Sequence, residues 1–434
     1  MRSTCTALLV LVSSTPLAGQ TSGAPGEPPG AVGSPPPAAQ QDVPDDPPVF
    51  AIRDGRPSLR VGSLLRIDFR VKLQGDVRSF SPDEATDADT FEMNRRRVGI
   101  RGTFLRQFDY EVERELREKN VWRDAFVNFH YFDDFQVQAG KFKVPFSQEQ
   151  LTGPTDLDFI YRTQAVDSLS PARAVGATLH GRFGMRAIGY DVGIFRDDGE
   201  NATFDFNPGG QRTVAARFAA RPLRLTSAPG ATREMELAVA IATADVPEGR
   251  NSLRGRTAFR ELFFEPVYVK GRRVRVGVDA DWSPGPFSLK AEFIRVTDER
   301  KNQGLFDEDL PPLVARGWYV SGTWAMTGET KFEGLEPRRP LLRGGAGAIE
   351  LAARYERLGF GSSFDGEPEF SNPRAANLLE TSDRAWTFGV NWYINHWVKL
   401  QVNAVREWIE DTSRSPIRDR AVFWTRVWRL QFVM

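Results

Sequence analysis

The stretch Trp386-Thr-Phe-Gly-Val-Asn-Trp-Tyr-Ile394 decides the fold. Trp386, Phe388, Val390, Trp392 and Ile394 fall on one face, and Thr387, Gly389, Asn391 and Tyr393 on the other. After a turn at Asn395-His396 the pattern resumes. Val398, Leu400, Val402 and Ala404 alternate with Lys399, Gln401 and Asn403, and the chain closes on Trp428, Leu430 and Phe432 set against Arg429 and Gln431. A period of two makes each run a strand with one apolar and one polar face. In a soluble sandwich the apolar face would be core. Here the polar faces carry charge and amides while the apolar faces are rich in aromatics, the pattern of a closed barrel with lipid outside and water inside. Each run is about ten residues long, enough for a tilted strand to cross a bilayer.

A soluble α/β chain of 434 residues would form two or three domains, whereas a large barrel spends that length on strands. The 57 basic and 57 acidic residues cancel, so there is no global basic footprint for nucleic acid. Mean hydropathy is −0.39 and no run of about 18 apolar residues could span a membrane as a helix, so any spanning must be done by strands. Residues 1–19 read as a secretory signal: Arg2, an apolar Ala7 to Val12, then Pro16-Leu-Ala-Gly19 with cleavage after Ala18 or Gly19. Gln20 stands where a lipoprotein would need cysteine, so no lipid anchor is expected. The one cysteine, Cys5, lies within the signal and leaves the mature chain without disulfide or thiol chemistry. Residues 20–48, rich in Gly, Pro, Ala and Gln, form a disordered spacer, and 49–434 the barrel domain.

Sixteen segments alternate: 58–73, 91–104, 108–116, 121–131, 135–144, 176–184, 186–196, 212–221, 234–244, 272–282, 286–297, 314–326, 346–357, 384–394, 397–409 and 421–433. A further candidate, 260–270, is demoted by Pro266. With a periplasmic N-terminus, sixteen strands place the tight turns Phe132-Asp-Asp-Phe135, Phe183-Gly-Met185, Ser283-Pro-Gly285 and Asn395-His396 inside. They place the long connections 74–90, 145–175, 197–211, 245–271, 298–313, 358–383 and 410–420 outside. Short inner turns and long outer loops are the outer-membrane barrel pattern. Two connections, 222–233 and 327–345, are long for periplasmic turns.

Several ordered motifs resemble the phosphate-selective porin O and P family. They are Arg95-Arg-Arg-Val-Gly-Ile-Arg-Gly102, Asp109-Tyr-Glu-Val112, Asp124-Ala-Phe-Val-Asn128 and Gln138-Ala-Gly-Lys-Phe-Lys-Val-Pro-Phe-Ser147. Arg173-Ala-Val-Gly176, Trp282-Ser-Pro-Gly-Pro-Phe-Ser288, Leu289-Lys-Ala-Glu-Phe293 and Thr327-Gly-Glu329 follow in the same order. The resemblance covers most of 58–434. It implies a transmembrane antiparallel β-barrel of about sixteen strands, trimeric, in the outer membrane of a Gram-negative-type bacterium and passing small anions such as phosphate. It also implies a third outer loop folded into the lumen to narrow the pore, here 145–175. That loop carries Arg162 and Arg173 against Glu149, Asp156, Asp158 and Asp167. With Lys141 and Lys143 of the preceding signature, these two arginines join the candidate anion contacts.

Alternation itself assigns a cationic wall to the first two strands: Arg60, Arg66, Arg70, Arg95, Arg97 and Arg101, with Arg273 and Arg275 on the tenth. A ladder of guanidiniums lets an anion exchange water for successive charge-assisted bonds without being held tightly at any one. Asp109, Glu111, Glu113 and Glu115 on the third strand offer the competing reading, in which the arginines stiffen the wall as ion pairs. An enzymatic reading finds little to use. His130 and His180 have no facing serine, His396 sits in a turn, and no His/carboxylate cluster has metal-ligand spacing. A Ca²⁺ on Asp197, Asp198 and Glu200 is the one metal reading the loops offer. Gly344-Gly-Ala-Gly347 lacks the Lys-Ser/Thr of a phosphate loop. The expectation is therefore a porin without cofactor or catalysis, whose partners are small anions, outer-membrane lipid and two further copies of itself. The alternative is a non-conducting barrel serving adhesion or surface scaffolding.

Overall fold

The computed structural model describes residues 48–434 except 54, 82–89, 117–120, 203–209, 229, 305, 333, 363–377, 379, 416 and 418–419. The expected signal 1–19 and all but the last residue of the spacer lie outside the described residues. The strands are β1 (Val49–Arg53), β2 (Arg56–Val61), β3 (Leu65–Ser81), β4 (Thr90–Phe104), β5 (Phe108–Glu115), β6 (Trp122–Phe129) and β7 (Gln136–Lys143). They continue with β8 (Arg173–Phe183), β9 (Ile188–Arg196), β10 (Arg212–Ala220), β11 (Glu236–Gly249), β12 (Gly255–Arg256), β13 (Leu262–Phe264) and β14 (Val269–Trp282). The last are β15 (Phe287–Arg300), β16 (Leu310–Ala325), β17 (Ala348–Ser362), β18 (Thr381–Tyr393), β19 (Val398–Ile409) and β20 (Val422–Val433).

From β3 to β20 each strand pairs antiparallel with the next, passing over the small ribbon β12–β13, and β20 closes on β3 from Trp424↔Ser81 to Val433↔Lys72. Sixteen strands therefore form the barrel, with the hairpin β1–β2 laid along the start of β3. Closure leaves the sixteen-stranded wall without an open edge, which is the condition for strands to cross a membrane. No described helix is long and apolar enough to do so. Pro266 lies between the ribbon and β14, outside the wall.

Several strands run three to five residues further into the outer connections than expected, and one differs by more. The expected first strand 58–73 is two strands, because Gly62 takes a positive φ of 52° and turns the chain at 62–64. The barrel strand then runs on to Ser81, through residues expected in an outer loop. Arg60 consequently sits on β2, opposite Arg66. The long inner connections 222–233 and 327–345 keep their positions and contain single turns of 3₁₀ helix at Pro222–Leu225, Gly230–Glu234 and Leu341–Arg343.

Faces follow the alternation. Phe388 is 49% exposed on the outside, while Asn391 is fully buried inside beside Gln401, which donates to its Oδ1 at 2.9 Å. The lumen, however, is not polar throughout. The chain between β7 and β8 forms two short helices, α1 (Gln148–Leu151) and α2 (Gln164–Leu169), capped by Ser147 and Thr163. Val144, Phe146, Val166 and Leu169 of this segment pack with Leu253, Phe263 and Phe264 of the β11–β14 connection and with Ile294, Leu313, Ala315 and Leu358 of the wall. These wall positions face inward yet are apolar, because they meet loops rather than water. Gly317 on β16 makes room for α2: a Cβ there would come within 2.5 Å of the Ala165 Cβ.

Candidate functional site

The segment 144–172 is bonded along one side of the barrel interior. Lys399 Nζ donates to the Thr155 and Leu157 carbonyls (3.1 and 3.2 Å), Asn391 to Asp158 O (2.8 Å), Arg429 to Ile160 O (2.5 Å) and Arg354 to Tyr161 O (3.1 Å). Asp158 accepts from Lys290 (2.9 Å) and Lys331 (2.5 Å). Gln164 Nε2 bonds Asp383 (2.7 Å) and Glu407 (3.1 Å). These partners lie on β15 and β17–β20 or in the β16–β17 connection, so the loop leans on that half of the wall.

A cavity of about 300 Å³ remains beside β6–β10, lined among others by Asp124, Lys143, His180, Arg182, Asp191 and Arg217. Toward the periplasmic end a larger one of about 610 Å³ carries Arg56, Arg221, Lys290, Lys331 and Lys399 against Asp156, Asp158, Glu234, Glu236 and Asp281.

The twelve sequence candidates divide by what holds them. Arg70 pairs with Glu111, and Arg97 with Glu113 (3.1 Å) and Glu115 (2.7 Å); Lys72 joins the same network through Glu113. Arg173 grips Asp124 through two nitrogens (3.1 and 2.9 Å), and Lys141 pairs with Glu200 (2.7 Å). Arg273 and Arg275 have no accessible surface. Arg273 binds Asp298 and Asp198, and Arg275 binds Asp198 and the Leu169 carbonyl. Both are therefore withdrawn from the pathway: the loops cover them. Burial alone would push the Asp198 carboxyl up, but Arg275 and Arg273 hold it below the usual carboxylate range. With Asp198 so engaged, and Glu200 held by Arg123 and Lys141, the loop acids offer no Ca²⁺ set. No cluster of metal-ligating side chains occurs among the described residues.

A smaller group has only neutral acceptors. Lys143 Nζ donates to the Leu151 and Thr152 carbonyls (2.9 and 2.8 Å). Arg162 donates to the Thr152, Glu149 and Gln150 carbonyls (2.7, 3.1 and 3.5 Å), so the two cations share Thr152 O. Arg95 bonds the side-chain carbonyl of Gln74. Arg162 lies within Coulombic reach of Arg95 and Lys143 but also of Glu149 and Asp167, and Lys143 within reach of Asp124. Arg66 meets Asp68 at 3.3 Å with a half-open side chain, whereas Arg60 and Arg101 have no ion-pair partner among the described residues. Arg256 and Arg260 were missed by the sequence reading. They line a small recess with Arg162, and Arg260 pairs with Asp167 at 3.4 Å. Both lie in the β11–β14 connection, where alternation gives no face.

The histidines are occupied as ordinary polar groups. His180 bonds Asn128 Oδ1 at 2.9 Å, His130 approaches Asp109 at 3.5 Å, and His396 pairs with Glu336 at 3.0 Å.

A closed sixteen-stranded barrel with an aromatic-rich apolar exterior, a charged lumen and a loop bonded along one side of that lumen defines an outer-membrane porin. Residues 66–433 match the family model described as "Phosphate-selective porin O and P", and the chain belongs to that family. It is 21% identical over 388 residues to Porin O of Pseudomonas aeruginosa, covering 82% of this chain and 84% of that one. Among solved structures, OmpT, an outer membrane protein of Vibrio cholerae, superposes with a TM-score of 0.54 at 10% identity, over 85% of this chain and 98% of that one. An anion-selective porin from Comamonas acidovorans gives 0.53 at 12% identity, over 85% and 99%. At such identities the structural likeness speaks for the fold. The protein is an outer-membrane porin of a Gram-negative bacterium.

Proposed function

We propose that this porin passively conducts small anions, phosphate among them, through the lumen left beside the 144–172 segment, which narrows the pore. The observation that carries this reading is the group Arg95, Lys143 and Arg162. Their partners are carbonyl oxygens, two of the three sharing Thr152 O, while most other lumenal cations are cancelled by carboxylates. Charge not tied up in a direct ion pair sets selectivity in a confined, low-dielectric passage more than the net charge of zero does. Arg256, which lines the small recess with Arg162, and Arg101 on β4 are further cations without an ion-pair partner among the described residues. Carbonyl bonds can be exchanged for an anion's oxygens, so the ion is passed on rather than trapped. The lumenal groups act as transient ligands and no bond is made or broken. A cleaved signal at 1–19 and assembly as a trimer complete the proposal. Trimerisation draws support from the trimer form of Vibrio cholerae OmpT, which shares the fold at a TM-score of 0.53.

The test is chloride conductance in planar bilayers for the wild type and for the Arg95→Gln/Lys143→Gln/Arg162→Gln variant. The reading expects the variant to lose chloride current while keeping heat-modifiable migration on gels. Undiminished chloride current in a folded variant would remove these three residues from the pathway.

A further inference from the structure

The outer surface carries a row of arginines that conduction does not use. Arg295, Arg316, Arg357, Arg384, Arg406 and Arg426 stand one on each of the consecutive strands β15 to β20, and all are exposed. The register makes them neighbours. Arg295 faces Arg316 and Arg357 faces Arg384, and each remaining step is a two-residue diagonal, as in Arg316↔Gly359, Trp386↔Arg406 and Ala404↔Arg426. With strands about 4.8 Å apart, the row runs over roughly 24 Å of the barrel circumference. None of the six has a carboxylate partner among the described residues. Arg357 donates to Ser382 Oγ at 3.3 Å, and Arg406 stacks on Trp408 and Trp424 (4.7 and 5.6 Å).

The row has a fixed depth. On β18 the outward residues after Arg384 are Trp386, Phe388, Val390 and Trp392. On β19 those before Arg406 are Val398, Leu400, Val402 and Ala404. Arg357 lies five residues before the end of β17, on the side of the long outer connections. The arginines thus crown the apolar band at its outer rim, among the tryptophans that mark a membrane interface. Arginine is disfavoured at mid-bilayer and tolerated at this level, so six in register call for anions at that height. Between them lies a depression of about 320 Å³ whose lining includes Phe293, Arg316, Trp318, Arg357 and Ser382, with Glu380 and Glu410 also at its edge.

We propose that this row binds the phosphorylated headgroup of a glycolipid in the outer leaflet, its acyl chains lying against the aromatic band below. Guanidinium is the side chain suited to phosphate, because its planar fork gives two parallel charge-assisted bonds. A row of such forks fits a headgroup with more than one phosphate better than it fits a single free ion. Carboxylates of a second protein copy would be the other natural partners. The outward band of β15–β20 offers them mainly aromatic and aliphatic surface, and at the depression only Glu380 and Glu410 stand against the six arginines.

The test uses the purified full-length porin in detergent, with retained lipid counted by native mass spectrometry. The probes are diphosphoryl lipid A and the same lipid with both phosphates removed. The wild type is expected to retain the diphosphoryl form on the order of tenfold better than the Arg316→Gln/Arg357→Gln/Arg384→Gln variant, and better than the dephosphorylated form by a similar factor. Conductance of the variant should match the wild type. Equal retention of the two lipids by the wild type overturns the proposal whether or not the variant folds. A variant that keeps its lipid but loses its oligomeric state also overturns it, and assigns the row to a contact between copies.

Discussion

Replacing Arg429 by methionine tests how the barrel seam and the lumenal loop are joined. Arg429 on β20 stands directly opposite Asp76 on β3, across the line where the sheet closes on itself, and both are out of contact with solvent. Asp76 accepts four bonds: Arg429 Nε (2.7 Å), Arg429 Nη2 (2.6 Å), Asn94 Nδ2 (2.8 Å) and Tyr161 OH (3.0 Å). Arg429 Nη1 also holds the Ile160 carbonyl at 2.5 Å. Removing one member of a buried ion pair costs about 3–5 kcal/mol, because the other charge is left in place. Two neutral donors remain on Asp76, so Arg429→Met should fall at the low end, about 3 kcal/mol. Adding Asp76→Asn removes the stranded charge and should restore at least about 1 kcal/mol. Urea unfolding in lipid vesicles, followed by tryptophan fluorescence, measures both, and single-channel recording should show a noisier pore because the Ile160 carbonyl loses its anchor on the wall. A single variant costing less than about 1 kcal/mol, or a double variant weaker than the single, would refute the buried-charge argument.

Three further outcomes follow from the same geometry. Gly317→Val should push α2 off the wall and alter single-channel conductance, with partial recovery in Gly317→Val/Ala165→Gly; an unchanged channel would mean that α2 does not rest on β16. Val390→Arg places a cation in the middle of the outward band and should cost about 2–4 kcal/mol, read as a lower urea midpoint; a cost near zero would put that face in water. The depressed Asp198 carboxyl contributes stability above its unfolded value near pH 4, and this is lost as pH falls through the lower folded value. The wild type should therefore lose stability on acidification through this site while Asp198→Asn, already weakened at pH 7, loses less; parallel pH curves would show that Asp198 is not held by Arg273 and Arg275.

The wall of the barrel was largely legible because a period of two is a local property. Trp386 and Asn391 announce their faces without knowledge of any partner, and fifteen of the sixteen strands lie close to where alternation puts them. The exception at Gly62 has a local cause too: an isolated glycine reads as a gap in the pattern, not as a reversal of the chain. The pathway was far less legible. Alternation says that Arg97 and Arg273 point inward, but not that Glu115 and Asp298 will meet them. Nor can it show that Leu313 and Ile294 face a loop instead of water, since that depends on contacts between residues over a hundred positions apart. The unpaired group at Thr152 O depends on the carbonyls at the end of α1, which no side-chain pattern encodes.

The reversal potential of the wild-type channel in a KCl gradient tests the central claim most directly. Arg95, Lys143 and Arg162, hydrogen-bonded to neutral acceptors and in no direct ion pair among the described residues, predict a potential of the sign set by chloride. A potential of the sign set by potassium would contradict the account and make the lumenal cations structural.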